Sequence, residues 1–454
     1  MITTQQKRVP WSWVVAIVAP ALIIQLNESC ANAAMSFTTR KFTKIPYIIT
    51  LVTSSHVLLN MFISPYVSWK SDRIWTRYGR RKPFLIAGWT GVATALALMP
   101  LAPSLPVLIL AAILFGISMD LTSYGPFDPL VNEVIPQPQR GRAQSIRMLF
   151  TQSGQLLFMG VLIKNFKEKN INGISWLTGE RLLYWVVAGA VLLCVLHFHL
   201  FVKEKEVPVK PGENRFSFKP FITGIFGERQ HRMIFILVFA SVALNAGLAS
   251  LGPLMTTEQF GYDMKTLGNL GVANTVIRMC IILPVVGFVA DRVNRMKMFQ
   301  WTMILTTMYP LCWWGYIHFF APRGIPPIKV MIFSEFCSAI VHMMDNCTVG
   351  PLLFDFIPRN KMGTVYAGMT WVRGITRIIA INGVGVFVTY YNRLLPRVDG
   401  ITDYSSGFLY VFLIYVLGLA GTFYFASQAR KGRVLPLGKA PIQTSEPEPE
   451  LAAA

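Results

Sequence analysis

Apolar residues in this chain come in long, unbroken runs rather than in alternation or in a narrow helical stripe. The runs cover roughly residues 12–35, 47–69, 84–103, 105–127, 143–164, 182–202, 233–255, 267–290, 298–320, 327–350, 364–389 and 406–427. Each approaches the ~20 residues that a helix rising ~1.5 Å per residue needs to cross a ~30 Å hydrocarbon layer. Continuous runs predict spanning helices, which satisfy their own backbone hydrogen bonds, and not the alternating strands of an outer-membrane barrel. The predicted fold is therefore an all-α polytopic membrane protein of about 12 helices.

The longest polar interruption, 203–232, divides the spans six and six. The expected organisation is an N-terminal bundle over 1–202, a cytoplasmic linker over 203–232, a C-terminal bundle over 233–427 and a disordered tail over 428–454. That tail is basic near Arg430 and then rich in Pro and Glu. The two halves share landmarks at an offset of about 220 residues. Pro65 and Asp72-Arg73 correspond to Pro284 and Asp291-Arg292. Asp120 with Gly125-Pro126 corresponds to Asp345 with Gly350-Pro351. Glu133-Val134-Ile135-Pro136 answers Asp355-Phe356-Ile357-Pro358, and Leu26-Asn27 answers Leu244-Asn245. Such a repeat predicts two pseudo-symmetric six-helix bundles related by an axis along the membrane normal.

Composition sharpens this picture. Charged residues are 14% of the chain and hydrophobic residues 53%, whereas a wetted soluble domain carries about 25% charged residues. The net charge of +20 orients the chain and names no nucleic-acid partner. About 27 of the 42 Lys and Arg fall in the loops on the side of the N-terminus, which the positive-inside rule places in the cytoplasm with the C-terminus. All six cysteines lie in apolar segments without metal-ligand spacing. Gln25, Asn27 and Glu28 interrupt the first apolar run, which reads as an uncleaved first helix rather than a signal peptide.

After the second span stands Ser71-Asp72-Arg73-Ile74-Trp75-Thr76-Arg77-Tyr78-Gly79-Arg80-Arg81-Lys82-Pro83-Phe84. It resembles the loop between helices two and three of major facilitator transporters. Its length before Gly79, the following Pro-Phe and the Asp-x4-Gly-Pro of span four are similar to one branch, the glycoside–pentoside–hexuronide:cation and sucrose–proton symporters. The resemblance implies a conformational latch at Asp72, Arg73, Gly79, Arg80 and Arg81, repeated at Asp291 and Arg292. On physical grounds Asp72 can accept hydrogen bonds at a helix N-terminus, Gly79 permits a tight turn, and Arg80, Arg81 and Lys82 belong in the cytoplasm.

Ionisable groups at mid-bilayer cost at least ~2.5 kcal/mol each and are functional candidates by default. Glu28, Asp120, Arg278, Asp345 and Arg373 lie near mid-depth, with Arg377 one turn from Arg373 and with Glu335 and His342 beside Asp345 on span ten. In the family that this chain resembles, spans one, four, seven and ten line a central cavity, which places Glu28, Asp120 and Asp345 there. A carboxyl in a low-dielectric cavity can change protonation in the working pH range, and contact with Arg278 or Arg373 would time its release. Span two has no acid and offers only His56, Asn60 and hydroxyls. Proton coupling is therefore favoured over sodium, a hard cation that wants carboxylate oxygens. Candidate solute contacts are Gln25, Asn27, Tyr124, Asn245, His342, Asn346 and Trp371.

The leading expectation is a proton-coupled sugar or glycoside symporter of a bacterial inner membrane, working by alternating access. The alternatives are a proton-antiport exporter and a pigment or complex assembly factor of the same fold. No cofactor and no metal is called for. Phosphate-binding loops and nucleophile–base pairs are missing from the sequence, which argues against an enzyme. Monomers are the habit of the family that it resembles.

Overall fold

The computed structural model describes residues 9–432 apart from 72–73, 123–125, 137–138, 172–173, 203, 205–222, 224–225, 244–247, 283–284, 287–288, 290–291, 355, 357–361 and 398. Among the described residues the chain is helical, with isolated bridges only at Thr76–Gly79 and Ile171–Ile174. Among the described residues, seven helical stretches are long and apolar enough to cross a membrane: Trp11–Arg40, Pro46–Val67, Lys82–Leu101, Arg142–Asn165, Gly179–Phe201, Gly368–Leu394 and Tyr404–Arg430. A further apolar helix, Leu105–Asp120, is shorter. Among the described residues, helices also occupy parts of the other predicted spans, in keeping with the all-helical expectation.

The first span is built from α1 (Trp11–Val18), α2 (Ala21–Ser29), a wide π-type turn over Cys30–Ala34, and α3 (Met35–Arg40). The second is divided at Ser54 into α4 (Pro46–Thr53) and α5 (Ser55–Ser71). Next come α6 (Lys82–Leu98), α7 (Leu105–Asp120), α8 (Phe127–Val134), α9 (Arg140–Leu157) and α10 (Gly179–Phe201). Proline opens α4, α6 and α7 in the first turn, where its missing N–H costs nothing. Thr178 caps α10 by accepting from Arg181 N at 3.3 Å.

In the later part of the chain, α11 (Arg229–Ala243) is followed by non-helical backbone at Leu248–Leu251 and a π-type turn at Met255–Gln259. The remaining helices are α12 (Met264–Val276), α13 (Arg295–Gly315), α14 (Ile328–Phe354), α15 (Met362–Leu394) and α16 (Gly407–Arg430). Asp263 and Asn294 cap α12 and α13 through their side-chain oxygens.

Packing follows the repeat. Helix α6 lies against α7 and α10, and α2 against α9; in the second set α13 lies against α14 and α16, and α11 against α15 and α16. The sets meet where α15 crosses α4 and α5, and where α12 reaches the end of the fifth span near Met159. Gly385 makes the first crossing possible. A Cβ there would lie 2.1 Å from Thr50 Oγ1 and 2.9 Å from the Tyr47 backbone, the close approach that small residues permit between membrane helices.

Candidate functional site

Glu28 and Asp120, the two mid-depth acids of the first half, each lie beside a polar side chain of the second span. Asn60 Nδ2 donates to Asp120 Oδ1 at 2.9 Å. One helical turn earlier, His56 Nε2 lies 3.9 Å from Glu28 Oε2, while its Nδ1 donates to Thr53 O at 2.9 Å. The positions follow from periodicity, since residues 56 and 60 share one face of α5. Asp120 is completely buried, and its Oδ2 has no hydrogen-bond partner among the described residues. Asn27, also fully buried, leaves both side-chain polar atoms unpartnered there. The wide turn at Cys30–Ala34 begins three residues later. Gln25 instead crosses to the fifth span, donating to Gln155 Oε1 at 2.8 Å beside Ser29, which donates to the same oxygen at 2.7 Å.

In the second half Asp345 is buried and accepts from Ser241 Oγ at 3.4 Å. Arg278 lies in a π-type stretch, Ile277–Ile282, within electrostatic reach of Glu335 and His342. Arg373 is half-buried, and Arg377 lies close enough for its charge to reach His56. Trp371 donates its indole N–H to Met61 O at 2.9 Å, which pins α15 to α5. Asp120 and Asp345 are thus each anchored within their own half. Tyr124 and Asn245 lie outside the described residues, and the Asn346 side chain is likewise not described.

Of the latch residues, Asp72, Arg73 and Asp291 lie outside the described residues. Arg292 is exposed. The rest of the first loop is well defined. Gly79 has φ +112° and closes a turn with Thr76. Arg80, Arg81 and Lys82 are buried against the protein. The cause is Glu204, which sequence reasoning missed. Its carboxylate accepts from the backbone N–H groups of Arg80 at 2.6 Å, Arg81 at 3.0 Å and Lys82 at 2.5 Å. Lys82 Nζ in turn donates to His199 O at 2.7 Å and Val202 O at 2.8 Å, capping the end of α10. Each helix end thereby receives the charge that its dipole favours. The legible signal was an acid placed immediately after an apolar run.

On the opposite face the halves are tied together. Arg40 Nε donates to Glu258 Oε2 at 2.9 Å, and Tyr404 OH donates to the same oxygen at 3.0 Å. Thr53 Oγ1 donates to Ser250 Oγ at 3.0 Å, and Ser54 Oγ to Asn382 Oδ1 at 3.1 Å. Here too the repeat recurs in side chains. Glu180 at the start of α10 accepts from Thr38 at 2.7 Å and pairs with Lys41. Asp403, at the corresponding place before α16, accepts from Gln259 at 2.9 Å.

The spanning helices, the internal repeat and the buried acids are joined by a direct match. The model of the Major Facilitator Superfamily matches residues 17–381. The chain belongs to that superfamily. Its fold is similar to that of a bacterial homologue of the human lysosomal transporter Spinster, in an inward-facing and unoccupied conformation. The TM-score is 0.70 at 12% identity, covering 94% of this chain and 98% of that one. A POT family transporter in complex with a thioalcohol-conjugated peptide gives 0.70 at 13% identity, covering 93% and 96%. A mutant of the nucleoside transporter NupG gives 0.66 at 13% identity, covering 91% and 99%. No curated protein matches the sequence. As a major facilitator protein the chain is a multi-pass membrane transporter, and the polar side chains described above are the candidates for its work.

Proposed function

We propose that this transporter couples proton movement to uptake of a sugar or glycoside by alternating access. The observation that carries it is Asp120: a fully buried carboxyl held through one oxygen by the neutral Asn60, its second oxygen unpartnered. An ionised carboxylate without a counter-ion is costly to bury, so loading and unloading a proton is a step that solute binding and water access can drive. Glu28 beside His56 is a second protonatable pair on the same face of α5. The two halves, 1–202 and 233–427, rock about a midplane site, with the linker and both termini in the cytoplasm of a bacterial cell. Arg40 and Glu258 join them on the outer side, and the loop around Gly79 latches the cytoplasmic side. The solute reading rests on resemblance to the glycoside symporter branch and on the neutral amides Asn27 and Asn60. The test is uptake of mono- and disaccharides into proteoliposomes under an imposed pH gradient. Gradient-dependent uptake that collapses in Asp120→Asn is the expected result; no sugar uptake by wild type under a proton or a sodium gradient would refute the reading.

A further inference from the structure

The second half holds a polar cluster that the proton step does not use. Glu335, Ser338 and His342 recur at i, i+3 and i+7 on one face of α14. Glu335 meets Asn274 near the end of α12, and Arg278, one turn on in the π-type stretch, lies within electrostatic reach of Glu335 and His342. Asn274 Nδ2 donates to Glu335 Oε2. Tyr309, from α13, shares a 2.7 Å hydrogen bond with Ser334. His342 Nδ1 donates to Ser338 O at 2.9 Å, so a neutral ring keeps Nε2 as an acceptor. That nitrogen has no partner among the described residues. Arg278 Nε is buried and also unpartnered there.

Opposite charges in a low-dielectric setting attract strongly, yet Arg278 and Glu335 form no ion pair among the described residues. Asn274 holds the carboxylate, and Arg278 keeps an unused donor. A buried donor left unmade is expensive, and the π-type turn at Ile277–Ile282 is the kind of irregularity that recurs at functional sites.

The geometry points to this cluster as a solute-binding subsite for the hydroxyl groups of a neutral polyhydroxylated molecule, Arg278 donating while His342 Nε2 and Glu335 accept. A hydroxyl both accepts and donates, which matches one idle donor beside acceptors. The cluster carries one cation and one carboxylate, so it offers no net charge that would select a charged solute over a neutral one. The inference deepens the proposed sugar reading and rests on it for the solute class.

The test uses the purified full-length transporter in detergent, with the rise in Tm on adding D-glucose, D-xylose, melibiose, methyl β-D-glucoside, D-glucuronate or L-alanine as the readout. A neutral sugar should stabilise wild type. Its apparent affinity should be about tenfold or more weaker in Arg278→Gln and in His342→Leu. His342→Gln, which retains an acceptor, should recover part of the loss. Melting without sugar reports whether each variant folds, and His342→Leu is judged alone if Arg278→Gln does not fold. Equal sugar-induced shifts in wild type and the folded variants would overturn the subsite, as would shifts from glucuronate or alanine only, or from no compound. The same panel in pH-gradient uptake separates the two readings. Uptake with unchanged apparent affinity in the variants overturns the subsite and spares symport; sugar binding without gradient-driven uptake does the reverse.

Discussion

Glu204 and Lys82 cap each other's helices: the carboxylate accepts from three successive amides at the start of α6, while the Lys82 ammonium donates to two carbonyls at the end of α10. The third and sixth spans are thereby welded at the loop that carries the family motif. Glu204→Ala leaves three amides without their charged acceptor and should cost about 1–3 kcal/mol. A lowered melting temperature, with the fold retained by circular dichroism, is the expected outcome; an unchanged one would show that water replaces the carboxylate.

Gly79 is required twice over. Its φ of +112° is strained for any other residue, and a Cβ there would stand 2.7 Å from Glu204 Oε2. Gly79→Ala should destabilise by about 1–3 kcal/mol. Part of that cost should vanish in a Glu204→Ala background, where the obstructed carboxylate is gone. A double-mutant cycle on thermal melting checks this, and strict additivity would show that backbone strain acts alone.

The Arg40–Glu258 pair joins the halves on the face opposite that loop. Both side chains keep some exposure, so the pair itself is worth about 1 kcal/mol or less. That is still enough to bias an equilibrium between two closely balanced states. Ser250→Cys, in a cysteine-free background, sits at a buried contact with Thr53. Maleimide should label it several times faster in Glu258→Gln, and the swap Arg40→Glu with Glu258→Arg should slow it again. Equal rates in all three would mean that this pair does not hold the face shut.

Asp403 precedes the last span. Burial would push its carboxyl up, but hydrogen bonds from His318 at 3.3 Å and from Ser405 at 2.5 Å outweigh it and hold the group below its ordinary value. A depressed folded value adds stability that is complete above the unfolded value and is lost as pH falls through the folded one. Wild-type melting temperature should therefore fall as pH drops below about 4, and Asp403→Asn should be less stable at neutral pH with a flatter acid limb. Parallel acid limbs in the two proteins would exclude the residue.

Much of the candidate site was legible one residue at a time. Asp120, Glu28 and Arg278 stand out because a charge inside an apolar run is costly and therefore rare. Their partners were not legible. Asn60 reads as one more amide in an apolar run, and only the rotation of α5 against α7 brings it to Asp120. Glu335 and Asn274 lie 61 residues apart and meet because α12 packs on α14. Nothing in the sequence marks the correspondence of Glu180 with Asp403, because neither stands in a recognisable motif.

The run lengths and the repeat were enough to predict an all-helical membrane fold and the superfamily, because hydrocarbon thickness sets helix length and duplication leaves landmarks at a fixed offset. Only the packing of the helices puts the motif loop against Glu204, brings the second span to both Glu28 and Asp120, and keeps Arg278 and Glu335 apart. Those outcomes depend on how helices rotate and approach one another, and a hydrogen bond needs its atoms within a few tenths of an ångström, which no one-dimensional pattern encodes.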